Sequence, residues 1–166
     1  MPATLSSLST QTTTHMLQIS RLFEAPRELV FEAFTNPAML ARWMGPRGFT
    51  AMDVQNDVRP GGKWSLRLHK TADQTACESH GLPDMWQRGT YLEVDPPERL
   101  VYTFGWDQRS GVIDYETTIS IVFREMEGKT VMDFEQGPFQ TVEHRDGHNV
   151  GWSGSFDRLT ELLAHS

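Results

Sequence analysis

The spacing of apolar residues changes period along the chain, and the changes mark its elements. Leu17, Ile19 and Phe23 fall on one face of a strand over 17–24. The period then becomes helical, and Ala25-Pro26 opens a helix to about Phe34 with Leu29, Val30, Ala33 and Phe34 on its buried side. A second short helix follows. Asn36 suits its N-cap, and Pro37 suits its first position, where a missing N–H costs nothing. Met39, Leu40, Trp43 and Met44 form the apolar stripe of this helix, and Gly45-Pro46 ends it.

From Phe49 onward the period is two. A strand over 54–58 leads into a hairpin turn at Arg59-Pro-Gly-Gly62, after which Trp64, Leu66 and Leu68 alternate with Ser65, Arg67 and His69. Residues 70–87 have little periodicity and carry Gly81 and Pro83, so they read as a long loop. A strand over 89–94 closes at Asp95-Pro-Pro-Glu98, and Leu100, Tyr102, Phe104 and Trp106 share one face of the next. After a turn over 107–111, Tyr115, Thr117, Ile119, Ile121 and Phe123 alternate. Glu127-Gly128 turns into a last strand with Thr130, Met132 and Phe134 on one face, opposite Val131, Asp133 and Glu135. The chain closes with a helix over 142–164, where His148, Trp152, Phe156, Leu159 and Leu163 fall on one stripe.

The predicted order is strand, two helices, about six antiparallel strands and a long helix, an α+β arrangement. Short turns make the strands a meander with one apolar, aromatic face, and the long helix is its obvious cover. A curved sheet wrapped round one helix leaves a cavity wherever side chains do not fill it. Gly147, Gly151 and Gly154 thin that helix. Each costs it about 1 kcal/mol relative to alanine, so three together imply a constraint. Either the helix approaches the sheet closely there, or it passes over a cavity.

Composition narrows the function. The 166 residues fit one domain with a real core, read as a disordered tail over 1–15 and a single domain over 16–166. The tail is rich in Ser and Thr and lacks both a basic start and an apolar run, so it does not read as a secretory signal. A formal charge of −7 argues against nucleic acid or an anionic membrane as the main partner. No 18-residue apolar run is present. The single Cys77 forms no internal disulfide and fits a reducing, cytoplasmic setting.

Five segments in order resemble a known family. They are Ala25-Pro26-Arg-Glu-Leu-Val-Phe31, Trp43-Met-Gly-Pro-Arg-Gly-Phe49, Val58-Arg-Pro-Gly-Gly-Lys-Trp64, the stretch from Gly89-Thr-Tyr to Tyr-Thr-Phe104, and Gly151-Trp152 with Asp157-Arg-Leu159. The chain resembles the START/polyketide-cyclase-like helix-grip superfamily over residues 17–164. Within it, the chain is similar to stand-alone proteins related to the C-terminal domain of the activator of the heat-shock protein 90 ATPase. The resemblance implies a helix-grip fold: a curved antiparallel sheet around a long C-terminal helix, with two short helices after the first strand. It also implies a cavity that binds a small hydrophobic molecule. Cyclase or hydrolase chemistry in the same cavity, and a chaperone-cofactor role in a stress response, are the alternatives. The full activator has a separate N-terminal chaperone-binding domain, for which this chain has no room. It departs from the family in carrying Met44 after Trp43 where a Trp-Trp pair is usual, and in a longer 70–87 loop.

The candidate lining residues are Trp43, Trp64, Tyr102, Phe104, Phe134, His148, Trp152 and Phe156. Trp43 is placed at the cavity mouth. His148 reads either as a polar handle orienting a ligand or acting in acid–base chemistry, or as a core histidine bonded to a backbone carbonyl. His144 and His148 have the i, i+4 spacing of a helical metal pair, but no carboxylate or thiolate partner can be placed. Cys77-Glu-Ser-His80, with His69 nearby, lacks the second ligand pair of a metal clip. Ser153 and Ser155 read as packing positions, Gly61-Gly62 as a turn and not a phosphate cradle, and Asp133 and Glu135 as solvent-facing. No catalytic residue, metal or cofactor is assigned, and the chain is expected to be a monomer or homodimer.

Overall fold

The computed structural model describes residues 15–70, 84–106 and 116–165. The elements run β1 (His15–Phe23), α1 (Arg27–Thr35), α2 (Pro37–Trp43), β2 (Phe49–Asn56), β3 (Lys63–Lys70), β4 (Met85–Asp95), β5 (Arg99–Trp106), β6 (Thr117–Met126), β7 (Lys129–Phe139) and α3 (Val142–Ala164). The strands form one seven-stranded antiparallel sheet in the order β1-β7-β6-β5-β4-β3-β2. β2 to β7 are therefore a meander, and β1 joins its far edge against β7, with Ile19 opposite Phe134 and Phe23 opposite Thr130. Register shifts between Met52 and Gln55 and between Tyr91 and Glu93 are bulges of the kind that bend and twist a sheet.

The local causes are those read in the sequence. Asn36 Oδ1 accepts from Ala38 N at 2.9 Å and Met39 N at 3.4 Å, with Pro37 as the first residue of α2. Gly61 takes φ 87° in the β2–β3 turn, a conformation that disfavours side chains. Thr117, Ile119, Ile121 and Phe123 are buried on the inner face. On the outer face Asp133 accepts from Ser20 and from Arg124 at 2.8 Å, and Glu135 accepts from Gln18 at 2.9 Å. Both acids thus sit opposite the core.

α3 lies across the inner face and buries Trp152, Phe156, Leu159, Leu162 and Leu163. α1 and α2 complete the core. Phe34 meets Trp43 at 4.9 Å and Phe123 at 5.5 Å between ring centroids, and the Trp43 indole donates to Ala33 O at 2.9 Å. Among the described residues no helix is long and apolar enough to cross a membrane.

The region expected as a 70–87 loop is shorter than its pattern indicated. β3 runs through Lys70, and Met85 and Gln87 pair with Leu68 and Leu66. The alternation fails to show this because Trp86 faces outward under the Arg67 guanidinium while the polar Gln87 is buried. β2 likewise starts at Phe49, ahead of the 54–58 expected. Of the expected tail over 1–15, His15 is instead the first residue of β1, opposite Phe139; the rest of that tail, Cys77 and His80, and the 107–111 turn with Tyr115 lie outside the described residues.

Candidate functional site

α3 packs densely through its C-terminal half and leaves a hollow under its N-terminal half. The reason is its glycines. A Cβ placed on Gly147 or Gly151 would meet nothing within 4 Å, and one on Gly154 would make ordinary contact with Pro46 at 3.5 Å. None of the three is required by close packing. A cavity of about 580 Å³ opens below them. Leu68, Met85, Gln87, Phe104 and Trp106 form its sheet wall, and His144, Gly147, His148, Gly151, Trp152 and Ser155 its helix wall. Glu143 stands exposed on the rim.

The third wall is the turn after α2, from Met44, Gly45 and Pro46 to Phe49. Gly45 has φ 98°, and a Cβ there would come within 2.9 Å of a Leu68 methyl. Arg158 of α3 clasps this turn. Its guanidinium donates to Gly45 O at 2.8 Å, Phe49 O at 2.9 Å and Arg42 O at 3.2 Å. Partial burial, followed by the nearby Arg47 charge, pulls the Arg158 pKa down from its ordinary value. A fixed cation beside the last carbonyls of α2 is also the favourable sign for a helix C-terminus.

The floor is held by a buried polar chain. Trp152 Nε1 donates to Gln136 Oε1 at 2.8 Å, and Gln136 Nε2 donates to Thr117 Oγ1 at 2.9 Å. These bonds fix the Trp152 indole over Phe104 and Phe134. His148 packs against Phe104, Trp106 and Phe139 at ring distances of 5.8, 6.0 and 4.8 Å. Its Nδ1 donates to His144 O at 3.0 Å. Burial among these rings lowers its pKa, and the carbonyl bond only partly opposes this.

The structure divides the eight candidate residues into three groups. Phe104, His148 and Trp152 line the cavity. Trp64 and Tyr102 border a separate void of about 20 Å³, room for no more than about one water, and Trp64 Nε1 is spent on Thr103 O at 3.0 Å. Trp43, Phe134 and Phe156 are packed in the core, at most 2% exposed, and are not on the cavity wall. Trp43 had been expected at the mouth. It turns inward because its indole N–H satisfies a carbonyl of α1, and the next residues, Met44 to Pro46, take the wall.

Other candidates take ordinary structural places. Ser155 Oγ donates to Gly151 O at 2.9 Å and Ser153 Oγ to Asn149 Oδ1 at 3.3 Å, so the described bonds pair neither with a histidine. Gly61-Gly62 lies in the β2–β3 turn. Among the described residues no group of three His, Cys, Asp or Glu is placed to hold a metal. Of the wall residues not named as cavity lining from the sequence, His144 carried a signal, weighed there only as a metal pair with His148 four positions on. Gln87 carried none, because a polar residue at the edge of an aperiodic stretch reads as loop.

The curved sheet, the long gripping helix and the hollow between them define a helix-grip protein. The chain matches the family described as Activator of Hsp90 ATPase homolog 1-like protein over residues 24–164, and it belongs to that family. A crystal structure of a Chromobacterium violaceum protein is 25% identical, covering 90% of this chain and 96% of its own, with a TM-score of 0.76. An AHSA1 protein from Silicibacter pomeroyi is 23% identical, covering 90% and 97%, with a TM-score of 0.72. A solution structure from Arthrobacter aurescens has 17% identity, 92% and 88% coverage and a TM-score of 0.76. The latter two are likenesses of fold alone. No match was found among curated proteins.

Proposed function

We propose that the protein binds a small, largely apolar molecule in the cavity between α3 and the sheet. The observation that carries this is the hollow itself. It measures about 580 Å³, within the range of small-molecule sites, and its wall is mostly aliphatic and aromatic. A native core closes to crystal-like density. Here two consecutive turns of the covering helix carry Gly147 and Gly151 where larger side chains would fit. A ligand burying ~300 Å² of apolar surface would gain about 7 kcal/mol before entropy costs, enough for binding on burial alone.

Binding is favoured over acid–base catalysis by the state of His148. Its described hydrogen bond is to a carbonyl of its own helix and not to a carboxylate that would tune it as a general base. Native mass spectrometry of freshly purified protein tests the reading, together with titration by the neutral apolar fluorophore N-phenyl-1-naphthylamine. A retained small molecule, or saturable enhancement of the dye at one site, is expected. Protein that carries no molecule and gives no dye response would overturn it.

A further inference from the structure

Three side chains on the cavity wall, Ser155, His148 and Gln87, have acceptor capacity left to offer a ligand, beside the N–H donors of the Gln87 amide and the Trp106 indole. Ser155 spends its hydroxyl proton on Gly151 O, so its oxygen presents lone pairs. His148 spends its Nδ1 proton on His144 O, since a carbonyl can only accept. In the neutral ring the other nitrogen is then an acceptor, and the surrounding rings of Phe104, Trp106 and Phe139 favour the neutral form. Gln87 is 6% exposed, lies on the wall between the cavity and the small void, and has an Oε1 with no hydrogen-bond partner. Rotation about its soft terminal torsion exchanges that oxygen with Nε2, so the amide can turn its oxygen toward a donor that fills the cavity. Glu143 adds a carboxylate at the rim, and no lysine or arginine is among the described residues of the wall.

Resting on the binding reading above, we propose that the cavity selects an uncharged ligand whose apolar, aromatic-sized body carries a hydroxyl or similar hydrogen-bond donor. The donor is received by Gln87 and His148. Carboxylates and other anions are rejected. An anion entering this wall would lose its hydration and meet a rim carboxylate, with no lysine or arginine among the described wall residues to replace the water. A ligand with no polar group would fill the hollow but leave Gln87 Oε1 unpaired, which forfeits the gain of satisfying a buried acceptor.

Four probes of one shape test this by isothermal titration calorimetry at neutral pH: naphthalene, 2-naphthol, 2-methoxynaphthalene and 2-naphthoate. 2-Methoxynaphthalene keeps the oxygen of 2-naphthol and replaces its hydroxyl proton with a methyl group, which adds apolar area and so works against the expected order. The expected result is 2-naphthol binding about tenfold or more tighter than 2-methoxynaphthalene, the scale of one buried hydrogen bond gained, with 2-naphthoate weakest. In the double variant Gln87→Met/His148→Phe, which keeps volume and ring shape, the ratio of 2-naphthol to 2-methoxynaphthalene affinity should fall to about one. Equal binding of 2-naphthol and 2-methoxynaphthalene beside clear binding of naphthalene would overturn the donor preference and leave the binding reading standing. Tightest binding by 2-naphthoate would overturn the preference too. A donor preference that survives the double variant would overturn the assignment to Gln87 and His148. Binding by none of the four would overturn the binding reading and the donor preference with it.

Discussion

Gly151 separates what the covering helix needs for stability from what the cavity needs. A Cβ at this position meets nothing within 4 Å, so Gly151→Ala introduces no clash. It removes the backbone-entropy cost of a glycine in a helix interior, about 1 kcal/mol. For a domain of this size that raises the melting temperature by about 2–4 °C. The new methyl stands over the hollow, so affinity for N-phenyl-1-naphthylamine should change little. Gly151→Phe carries the argument further. Long side chains on a helix lean over the preceding turn. The preceding turn here holds Gly147, which also has open space around it. The ring should therefore lie in the cavity and occupy it. The expected outcome is a fold at least as stable as wild type with dye binding abolished. Thermal melts followed by circular dichroism and dye titrations measure the two quantities separately. A lower melting temperature for Gly151→Ala would refute the claim that the position is open. A Gly151→Phe protein that folds and binds the dye at wild-type affinity would refute the claim that ligands enter under α3.

Three further outcomes follow from the same geometry. Gly89→Ala places a Cβ 1.8 Å from Thr103 O and 2.4 Å from Trp64 Nε1, so β4 and β5 must part; a loss of about 2–4 kcal/mol is expected in urea melts. Arg158→Met keeps the aliphatic stem but strips the donors from Gly45 O and Phe49 O, and should cost about 2–3 kcal/mol and weaken dye binding, with Arg158→Lys restoring only part because a single ammonium replaces the one nitrogen that serves Gly45 O and Phe49 O and leaves Arg42 O without the second guanidinium nitrogen. His148 has its pKa lowered below 6.5 by burial, so as pH falls from about 7 the unfolded chain takes up a proton that the folded ring resists, and stability drops. His148→Phe should flatten that slope in urea melts between about pH 7 and pH 5.5, and an unchanged slope would show that this ring does not carry it. The carboxylates of Asp84 and Asp133, both held low by arginine hydrogen bonds, act at more acidic pH and are common to both proteins.

The fold was legible because its determinants are local and repeated. Asn36-Pro37 starts a helix and Gly45-Pro46 stops it, wherever the helix then packs. Ile119, Ile121 and Phe123 state a buried strand face without reference to their partners. The cavity wall was legible only where it coincided with such a pattern. Phe104 and Trp152 belong to apolar stripes, and apolar stripes do not say whether they face a neighbour or a void. Trp43 and Phe156 lie on equally good stripes and are 0% exposed in the core. The difference between them and Trp152 is set by which residues stand opposite, a long-range fact. Gln87 was unreadable for the opposite reason: it is a polar residue on the buried face of a strand, beside a tryptophan on the outer face. Sites violate the patterns that reveal folds, and the violation looks like a loop until the pairing to Leu66 is seen.

α3 thereby has two jobs along its length. From Phe156 onward it is a core helix, with Phe156 against Phe134 at 5.3 Å and Trp152 at 5.5 Å, and Leu159 and Leu163 buried. Toward its start it is a roof, with Gly147 and Gly151 in open space and His148 braced against aromatic rings. Arg158 ties the two parts to the third wall, because this residue, about two turns after Gly151, also holds the carbonyls of the turn from Gly45 to Phe49. A hollow of this size can persist only if its walls are held by bonds that do not cross it. The Trp152–Gln136–Thr117 chain below, the Arg158 clasp at the side and the His148–His144 bond above all run along the wall and leave the interior to whatever enters.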